Sequence, residues 1–235
     1  MDKPPYLSLI IPAYNESARL PSTLKRFVPY LETLGLLYEV IVIDDGSQDR
    51  TKEAIEAINL SNLKIITLKT NRGKGAALRI GVENSRGELV LISDADGSTP
   101  IEEFDRLKSE LGIKHPIVIG TRNDLSMIKT HQSPLRSFIG RIFNELVKTI
   151  TGLPYTDTQC GFKLFKGEVA RELFPLLKVT GFAFDVEVLY LAVKRGYGIA
   201  EVAVIWENDP RSKVQVWRDP FIMFLEILRI RWTKR

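Results

Sequence analysis

Short apolar runs alternate with helical segments through the first half of the 235-residue chain. The runs resemble strands buried on both faces of a sheet, and they lie at Leu7–Ile11, Val40–Ile43, Lys64–Leu68, Leu89–Ile92 and Ile117–Gly120. Helices are predicted between them, at Pro21–Leu34, Thr51–Ile58 and Lys74–Ser85. This alternation indicates an α/β protein with a mostly parallel sheet that is covered by helices on both faces.

Thr99-Pro100-Ile101-Glu102 has the pattern of a capping box with proline at the first helical position. We therefore expect a fourth helix to start there.

The second half of the chain is less regular. A basic helix is predicted at Leu135–Ile150, an apolar helix at Phe184–Lys194 and a strand at Ala200–Trp206, and a last helix begins near Asp219. No repeat, low-complexity tract or linker interrupts the sequence, so we expect one domain over residues 1–235.

Composition narrows the classes of protein. The chain is 44% hydrophobic and 26% charged, which argues against disorder. Its net charge of +4 suits anionic partners such as nucleotide phosphates, lipid phosphates or acidic membranes; no nucleic-acid partner is expected. No apolar run reaches the roughly 18 residues of a membrane span, and no secretory signal is expected. The single cysteine, Cys160, excludes an internal disulfide and is predicted to be a buried apolar side chain.

Polar clusters follow four of the predicted strands. Because the carboxyl ends of parallel strands form one rim where ligands bind, these four segments are expected to converge. They are Tyr14-Asn15-Glu16, Asp44-Asp45-Gly46-Ser47, Asp94-Ala95-Asp96 and Thr121-Arg122.

Asp94 and Asp96 flank a small residue directly after a buried strand. Two carboxylates in this pattern suit Mg²⁺ or Mn²⁺, and such an ion bridges the oxygens of a diphosphate and neutralises a departing one. The alternative is a solvated turn whose acids cap a helix.

Asp44, Asp45 and Glu16 offer carboxylates to a ribose hydroxyl or a nucleobase N–H, and Tyr14 offers a ring that stacks on a base. The alternatives are an Asp-Gly turn held by its own side chain for one of the two aspartates, and a helix start for Glu16 and Tyr14.

Gly73-Lys74-Gly75 resembles a phosphate-binding loop only superficially. Leu78 stands where the third glycine of the dinucleotide fingerprint belongs, and the spacing also differs from a P-loop. We interpret this segment as a loop that leads into a helix.

Arg122, Arg136 and Arg141 form a candidate phosphate-binding cluster, since guanidinium groups bind phosphate oxygens in a bidentate way. The alternative is a solvated basic helix.

The last helix, at about residues 219–232, is apolar over much of its surface and has basic residues near its end. The pattern fits an amphipathic helix on an anionic membrane surface. The alternatives are packing against the domain core and packing against another subunit.

Several of these segments together resemble the family 2 glycosyltransferases of GT-A fold, and among them the dolichyl-phosphate β-glucosyltransferases and polyprenyl-phosphate mannose synthases. The resemblance covers about residues 6 to 230. It is carried by Leu9–Glu16, Val42–Ser47 with Asp49, Asp94–Asp96, Asp157–Phe165 and Phe182–Glu187.

The resemblance implies a Rossmann-like sheet with a nucleotide-binding half at about 1–125 and an acceptor half at about 126–215. It also implies inverting transfer of one hexose from a nucleotide sugar to a polyprenyl or dolichyl phosphate. By carry-over, the donor would contact Pro12, Ala13, Tyr14, Glu16, Ile43, Asp44, Asp45, Asp94, Ala95, Asp96 and Lys213.

Within this implied site, Asp94 and Asp96 would be catalytic, with Asp96 on the metal. The role of Asp157 would be catalytic or structural, and Arg122 and Arg136 would take the acceptor phosphate. Mannosyl members place an arginine six residues before the lysine matched by Lys213, where this chain has Glu207. The glucosyl members also lack that arginine, so the resemblance implies UDP-glucose as the preferred donor and GDP-mannose as the next.

The expected protein is a metal-dependent hexosyltransferase that works on the cytoplasmic face of a membrane as a peripheral protein. Residues 219–232 or a membrane-anchoring partner subunit would bring it to the lipid. The rival hypotheses are a glycosyltransferase with a soluble or protein acceptor, and a non-catalytic subunit that binds nucleotide sugar or lipid phosphate.

Overall fold

The computed structural model describes residues 3–130, 134–209, 211 and 219–232. Only the backbone is described for residues 125, 130, 134–139, 141, 219 and 220. The strands are β1 (Leu7–Ala13), β2 (Tyr38–Asp44), β3 (Leu63–Thr67), β4 (Leu89–Ile92), β5 (Ile117–Thr121), β6 (Ile128–Thr130), β7 (Lys163–Lys166), β8 (Ile199–Ala203) and β9 (Trp206–Glu207). The helices are α1 (Leu20–Thr33), α2 (Thr51–Glu56), α3 (Lys74–Glu83), α4 (Glu103–Glu110), α5 (Pro134–Thr151), α6 (Gly167–Leu173), α7 (Phe184–Lys194) and α8 (Asp219–Trp232).

Seven strands form the central sheet, in the order β3-β2-β1-β4-β7-β5-β8. The predicted α/β architecture with a mostly parallel sheet is confirmed, and one strand departs from it. Strand β7 runs antiparallel between β4 and β5. It belongs to the second half of the sequence, so the two halves share one sheet.

Apolar side chains from alternate positions of the strands fill both faces of the sheet. On one face, Ile10, Ile41 and Ile92 pack with residues of α3, α6 and α7. On the other, Leu9 and Val42 pack with residues of α1 and α4. The sheet is thus buried on both faces, and its strand ends are the places where a site can open.

Two predicted elements differ from the structure. Helix α4 starts at Glu103, and no side chain caps it, so the capping box predicted at Thr99 is wrong. The amide of Glu103 instead closes a turn onto the carbonyl of Pro100 at 3.2 Å. The strand predicted at Ala200–Trp206 is two strands, β8 in the main sheet and β9 paired with β6 in a separate small sheet.

The last helix carries apolar residues on two opposite faces. Met223, Ile227 and Ile230 are buried in the core, whereas Phe221 and Trp232 are 64% and 74% exposed. Helix α8 therefore packs on the core, as one alternative held, and still presents an apolar surface outward. Within the part of the chain that the structure describes, no helix is long and apolar enough to cross a bilayer.

Candidate active site

The strand-end segments converge at the carboxyl edge of the sheet, as expected. The amide of Asn15, after β1, donates to Ser47 Oγ after β2 at 2.8 Å. Thr23 on α1 donates to the carbonyl oxygen of Ala95, after β4, at 2.9 Å. The charges after β4 and β5 are also close enough to shift each other's pKa, since the Arg122 charge helps to lower the pKa of Asp94 against the effect of burial.

The Asp94–Asp96 turn is built into the rim by α1. Asp96 Oδ1 accepts the amide N–H of Ser98 at 3.0 Å, and Arg26 donates to the carbonyl oxygen of Gly97 at 3.0 Å. Gly97 has φ = +61°, a left-handed conformation that glycine adopts at low cost. These bonds hold the turn while leaving Asp94 and Asp96 side chains 37% and 22% exposed.

Asp94 is paired with a cation that the sequence analysis did not place in the site. Lys74 Nζ lies 2.6 Å from Asp94 Oδ1. Burial alone would raise the pKa of Asp94, but the Lys74 charge and hydrogen bond outweigh burial, and the pKa falls below its ordinary value. Asp94 is therefore an ionised acid with a fixed counter-ion.

Asp96 has different surroundings. Burial, and then the charge of Asp94, raise the pKa of Asp96 above its ordinary value. The guanidinium of Arg19 is 3.9 Å from Asp96 Oδ2, beyond hydrogen-bond distance. A cation bound at Asp96 would relieve the repulsion from Asp94.

This pair of acids fits a hard divalent ion. Such an ion is often bound by one or two protein carboxylates together with substrate phosphates. Among the described residues, no group of three or more His, Cys, Asp or Glu side chains is arranged to hold a metal. An ion held by these two carboxylates would complete its coordination with substrate oxygens.

Arg19 links the segment after β1 to the acid turn after β4. Its Nε and Nη2 donate to the two carboxylate oxygens of Glu16, at 2.7 and 2.5 Å. Its Nη1 lies 3.6 Å from Asp209 Oδ2 in the segment after β9. Arg19 is 8% exposed, so one buried guanidinium joins three acids from separate parts of the chain.

The two aspartates after β2 have different roles in the fold. Asp44 Oδ1 accepts the Ser47 amide at 3.0 Å, which is the self-stabilised turn that was one alternative. The Asp45 oxygens accept the amides of Arg72 and Gly73, both at 2.8 Å. Asp45 therefore holds the loop that delivers Lys74.

The start of α3 offers no free amides to a phosphate at residues 72, 73, 75 and 76. Asp45 takes the first two, and the carbonyl oxygen of Thr180 accepts those of Gly75 and Ala76 at 2.8 and 3.3 Å. This agrees with the interpretation of Gly73-Lys74-Gly75 as a loop leading into a helix.

Asp157 binds Arg122 on three donors. Its oxygens accept Nε at 2.7 Å, Nη2 at 2.8 Å and the amide of Arg122 at 3.0 Å. The Arg122 guanidinium also lies 5.6 Å from the ring centroid of Trp206. Burial would raise the pKa of Asp157, yet the charge and hydrogen bonds of Arg122 hold it below its ordinary value. Asp157 thus orients Arg122, whose side chain remains 28% exposed.

The other predicted site residues differ in how far they reach the rim. Tyr14 and Pro12 are half-buried at the end of β1, next to buried Ala13. The Ile43 side chain is fully buried near Gly81, so it faces the core and not the cleft. Arg136 and Arg141 lie on α5 with only their backbone described, and Lys213 lies outside the described residues. Burial raises the pKa of Cys160 to about 11, in keeping with an apolar role.

Four charged residues of the site were missed by the sequence analysis: Lys74, Arg19, Lys163 and Asp185. Lys74 lies in a motif whose pattern points only to backbone phosphate binding, and Lys163 and Asp185 lie in segments that carry the family resemblance but no charge pattern of their own. Arg19 carried no signal, because nothing in a single sequence separates it from an ordinary helix-start arginine.

A mostly parallel sheet with a D-x-D turn, further acids and an arginine at one rim is typical of a glycosyltransferase of the GT-A type. The chain belongs to glycosyl transferase family 2, whose family model matches residues 8–174.

Its relatives include enzymes named for a lipid-linked acceptor. Dolichyl-phosphate beta-glucosyltransferase of Dictyostelium discoideum is 42% identical over 246 aligned positions, covering 97% of this chain and 74% of the relative. The Homo sapiens enzyme of the same name is 39% identical, covering 88% of this chain and 69% of the relative.

Solved structures agree on the fold. Glucosyl-3-phosphoglycerate synthase from Mycobacterium tuberculosis in complex with UDP has a TM-score of 0.71 and 19% identity, covering 96% of this chain and 80% of that chain. Another structure of that enzyme, with a TM-score of 0.68, 19% identity and the same coverage of 96% and 80%, contains Mn²⁺, UDP-glucose and phosphoglyceric acid.

Proposed function

We propose that this enzyme transfers glucose from UDP-glucose to a dolichyl or polyprenyl phosphate, with inversion at the sugar and with Mg²⁺ or Mn²⁺ at Asp96. The observation that carries the proposal is one edge of the sheet that holds both a partly exposed D-x-D acid pair and an oriented arginine, Arg122. Two relatives, 42% and 39% identical, are named dolichyl-phosphate beta-glucosyltransferase, and these names support the acceptor and the sugar.

On the donor side, Asp96 would hold the ion, assisted by Asp94. A divalent cation bound there would neutralise charge on the departing diphosphate. Lys74 stands 2.6 Å from Asp94 with its side chain 19% exposed, so its ammonium can also face that diphosphate. The nucleoside would bind near Tyr14, Glu16 and the end of β2, where the neighbouring strands β1 and β2 end. GDP-mannose is the second donor candidate.

On the acceptor side, Arg122 would bind the phosphate, and Arg136 and Arg141 on α5 would extend that binding. A phosphate monoester is largely anionic at neutral pH, so its oxygen can attack the anomeric carbon without a strong general base. The new bond joins that oxygen to the anomeric carbon, and the bond from the anomeric carbon to the nucleoside diphosphate breaks. The site residues contribute orientation and charge complementarity.

We further propose that the enzyme is a peripheral protein of the cytoplasmic membrane face. Helices α5 and α8 contact each other, and both expose apolar side chains. Ile142 and Leu146 on α5 are 47% and 39% exposed, and Phe221 and Leu225 on α8 are 64% and 45% exposed. Arg229 and Arg231 in the last turn add positive charge that suits anionic lipids.

The test is an incubation of the protein with UDP-glucose, Mg²⁺ or Mn²⁺, and a short polyprenyl phosphate, with GDP-mannose as the alternative donor. Lipid-linked glucose is the expected product, and its formation should stop on addition of EDTA. Transfer only to water-soluble phosphates would support the rival with a soluble acceptor. Nucleotide binding without transfer to any acceptor would support the rival of a non-catalytic binding subunit.

A further inference from the structure

Two buried charged residues lie beside the acid turn without facing the cleft. Lys163 on β7 is 0% exposed and Asp185 in the first turn of α7 is 4% exposed. Lys163 Nζ donates to Asp185 Oδ1 and to the carbonyl oxygen of Cys160, each at 2.5 Å. Burying two charges costs several kcal/mol per ion, and apolar residues of similar size are often at least as stabilising. The stability of the fold is therefore a weak explanation for this pair.

The pair adjoins the charges of the cleft. Asp94 and then Asp185 act on Lys74, and together they raise the pKa of Lys74 in spite of its burial. Lys163 pairs with Asp185 at 2.5 Å and Lys74 pairs with Asp94 at 2.6 Å, and the ring of Phe184, the residue before Asp185, lies 5.6 Å from Lys74 Nζ. The four charged residues therefore form a row in which positive and negative charges alternate. The row begins in the core and ends at the acid turn.

The backbone around α7 also fixes where Lys74 begins. The carbonyl oxygen of Thr180 accepts the amide of Gly75, and a Cβ on Gly75 would lie 2.7 Å from Cβ of Phe184. Lys74 Nζ lies 5.6 Å from the centroid of the Phe184 ring. The start of α7 therefore sets both the backbone and the side-chain path of Lys74.

We infer that Lys163 and Asp185 are positioning residues: their ion pair fixes the start of α7, which in turn keeps the Lys74 ammonium beside Asp94, where it meets the diphosphate of the donor. The inference rests on the proposed function for the identity of that ligand. It adds that the affinity for the diphosphate is set partly from the core, by residues that do not touch it.

A double-mutant cycle on UDP affinity tests the inference, because residues that act through a shared partner are non-additive. The variants are Lys74→Met, Asp185→Asn and the two combined, with calorimetry of UDP binding with and without Mn²⁺. Asp185→Asn should raise the Kd for UDP about 10-fold. In the Lys74→Met background the same change should have little effect. Equal losses in both backgrounds would overturn the inference.

A second pair of variants separates positioning from stability. Lys163→Met with Asp185→Leu replaces the ion pair by apolar side chains, which should keep the fold and its melting temperature. This variant should still lose UDP affinity, and wild-type affinity in the folded variant would contradict the inference. Arg195→Gln with Glu172→Gln is the control, since it removes an exposed ion pair of 2.6 Å elsewhere and should bind UDP normally.

Binding is measured without acceptor, so the inference and the proposed function can fail separately. A protein that binds UDP but glucosylates no polyprenyl phosphate would end the proposed function, and the cycle would still decide the inference. A protein that binds neither UDP nor GDP would end the inference as well.

Discussion

Asp94 and Asp96 are two positions apart and have opposite electrostatic surroundings. Lys74 neutralises Asp94, whereas Asp96 faces Asp94 and has Arg19 only at 3.9 Å. Under the proposed function, Asp96 would therefore take the larger share of a bound cation, with Asp94 as a charged neighbour. A sequence motif treats the two acids alike, and the contacts distinguish them.

Asp96→Ala should abolish transfer while leaving the fold intact. Losing a metal-held charge costs several kcal/mol in the transition state, and about 3 kcal/mol corresponds to roughly 100-fold in rate. The measurement is the initial rate of lipid-linked glucose formation, with circular dichroism as the fold control. Full activity of the variant would show that the metal assignment is wrong.

Arg122→Lys should weaken binding of the acceptor phosphate without weakening binding of the nucleotide sugar. Lysine cannot make the paired contacts to Asp157 that orient the guanidinium, and it is a point charge toward a phosphate. We expect the KM for polyprenyl phosphate to rise about 10-fold, with little change in the KM for UDP-glucose. A change confined to the donor KM would contradict the placement of the acceptor at Arg122.

At the scale of elements, strands that are apolar runs ended by polar clusters were predictable, and a strand without that pattern was not. Strands β1, β2, β4 and β5 are apolar runs ended by polar clusters, so both their existence and their convergence followed from the sequence. Strand β7 is only four residues long, Lys163–Lys166, and begins and ends with lysine. Its place in the sheet is decided by long-range pairing with β4 and β5, which no local pattern reports.

The same limit applies within the site. The acids at strand ends could be predicted because strand geometry brings them together. The row from Lys163 to Asp94 could not, because it depends on α7 packing against α3 and β7. The capping box at Thr99 failed for a related reason: Thr99 is buried, and the carbonyl oxygen of its neighbour Ser98 accepts the amide of Glu207 from β9 at 2.8 Å.

The outward face of α8 can be tested without removing the helix, whose other face is part of the core. Phe221→Gln with Leu225→Gln and Trp232→Gln should reduce binding to vesicles that contain anionic lipid, because about 25 cal/mol is lost per Å² of apolar contact. Flotation with such liposomes is the measurement. Ile113→Gln, at a side chain 94% exposed outside α5 and α8, is the matched control. Equal flotation of all forms would remove α8 from the membrane interaction.

At the scale of the whole molecule, donor binding should appear as stability. A ligand that binds the folded state at 100 times its Kd adds about 2.7 kcal/mol. For a chain of this size, about 1 kcal/mol raises Tm by roughly 2–4 °C, so UDP with Mn²⁺ should raise it by several degrees. Differential scanning calorimetry checks this, with Asp96→Ala as the variant that should lose the metal-dependent part. An unchanged Tm for the wild type would contradict a preformed nucleotide site.

The insertion of β7 between β4 and β5 has a consequence for the order in which the chain can fold. Strand β5 pairs with β7 and β8, both of which follow it by more than 40 residues, and β4 has β7 as its second neighbour. During synthesis, β4 and β5 therefore keep unpaired strand edges until the second half of the chain emerges. Such edges are prone to aggregate. A fragment of residues 1–125 would leave the acid turn on an unfinished sheet, so the nucleotide half is not expected to fold as a separate unit.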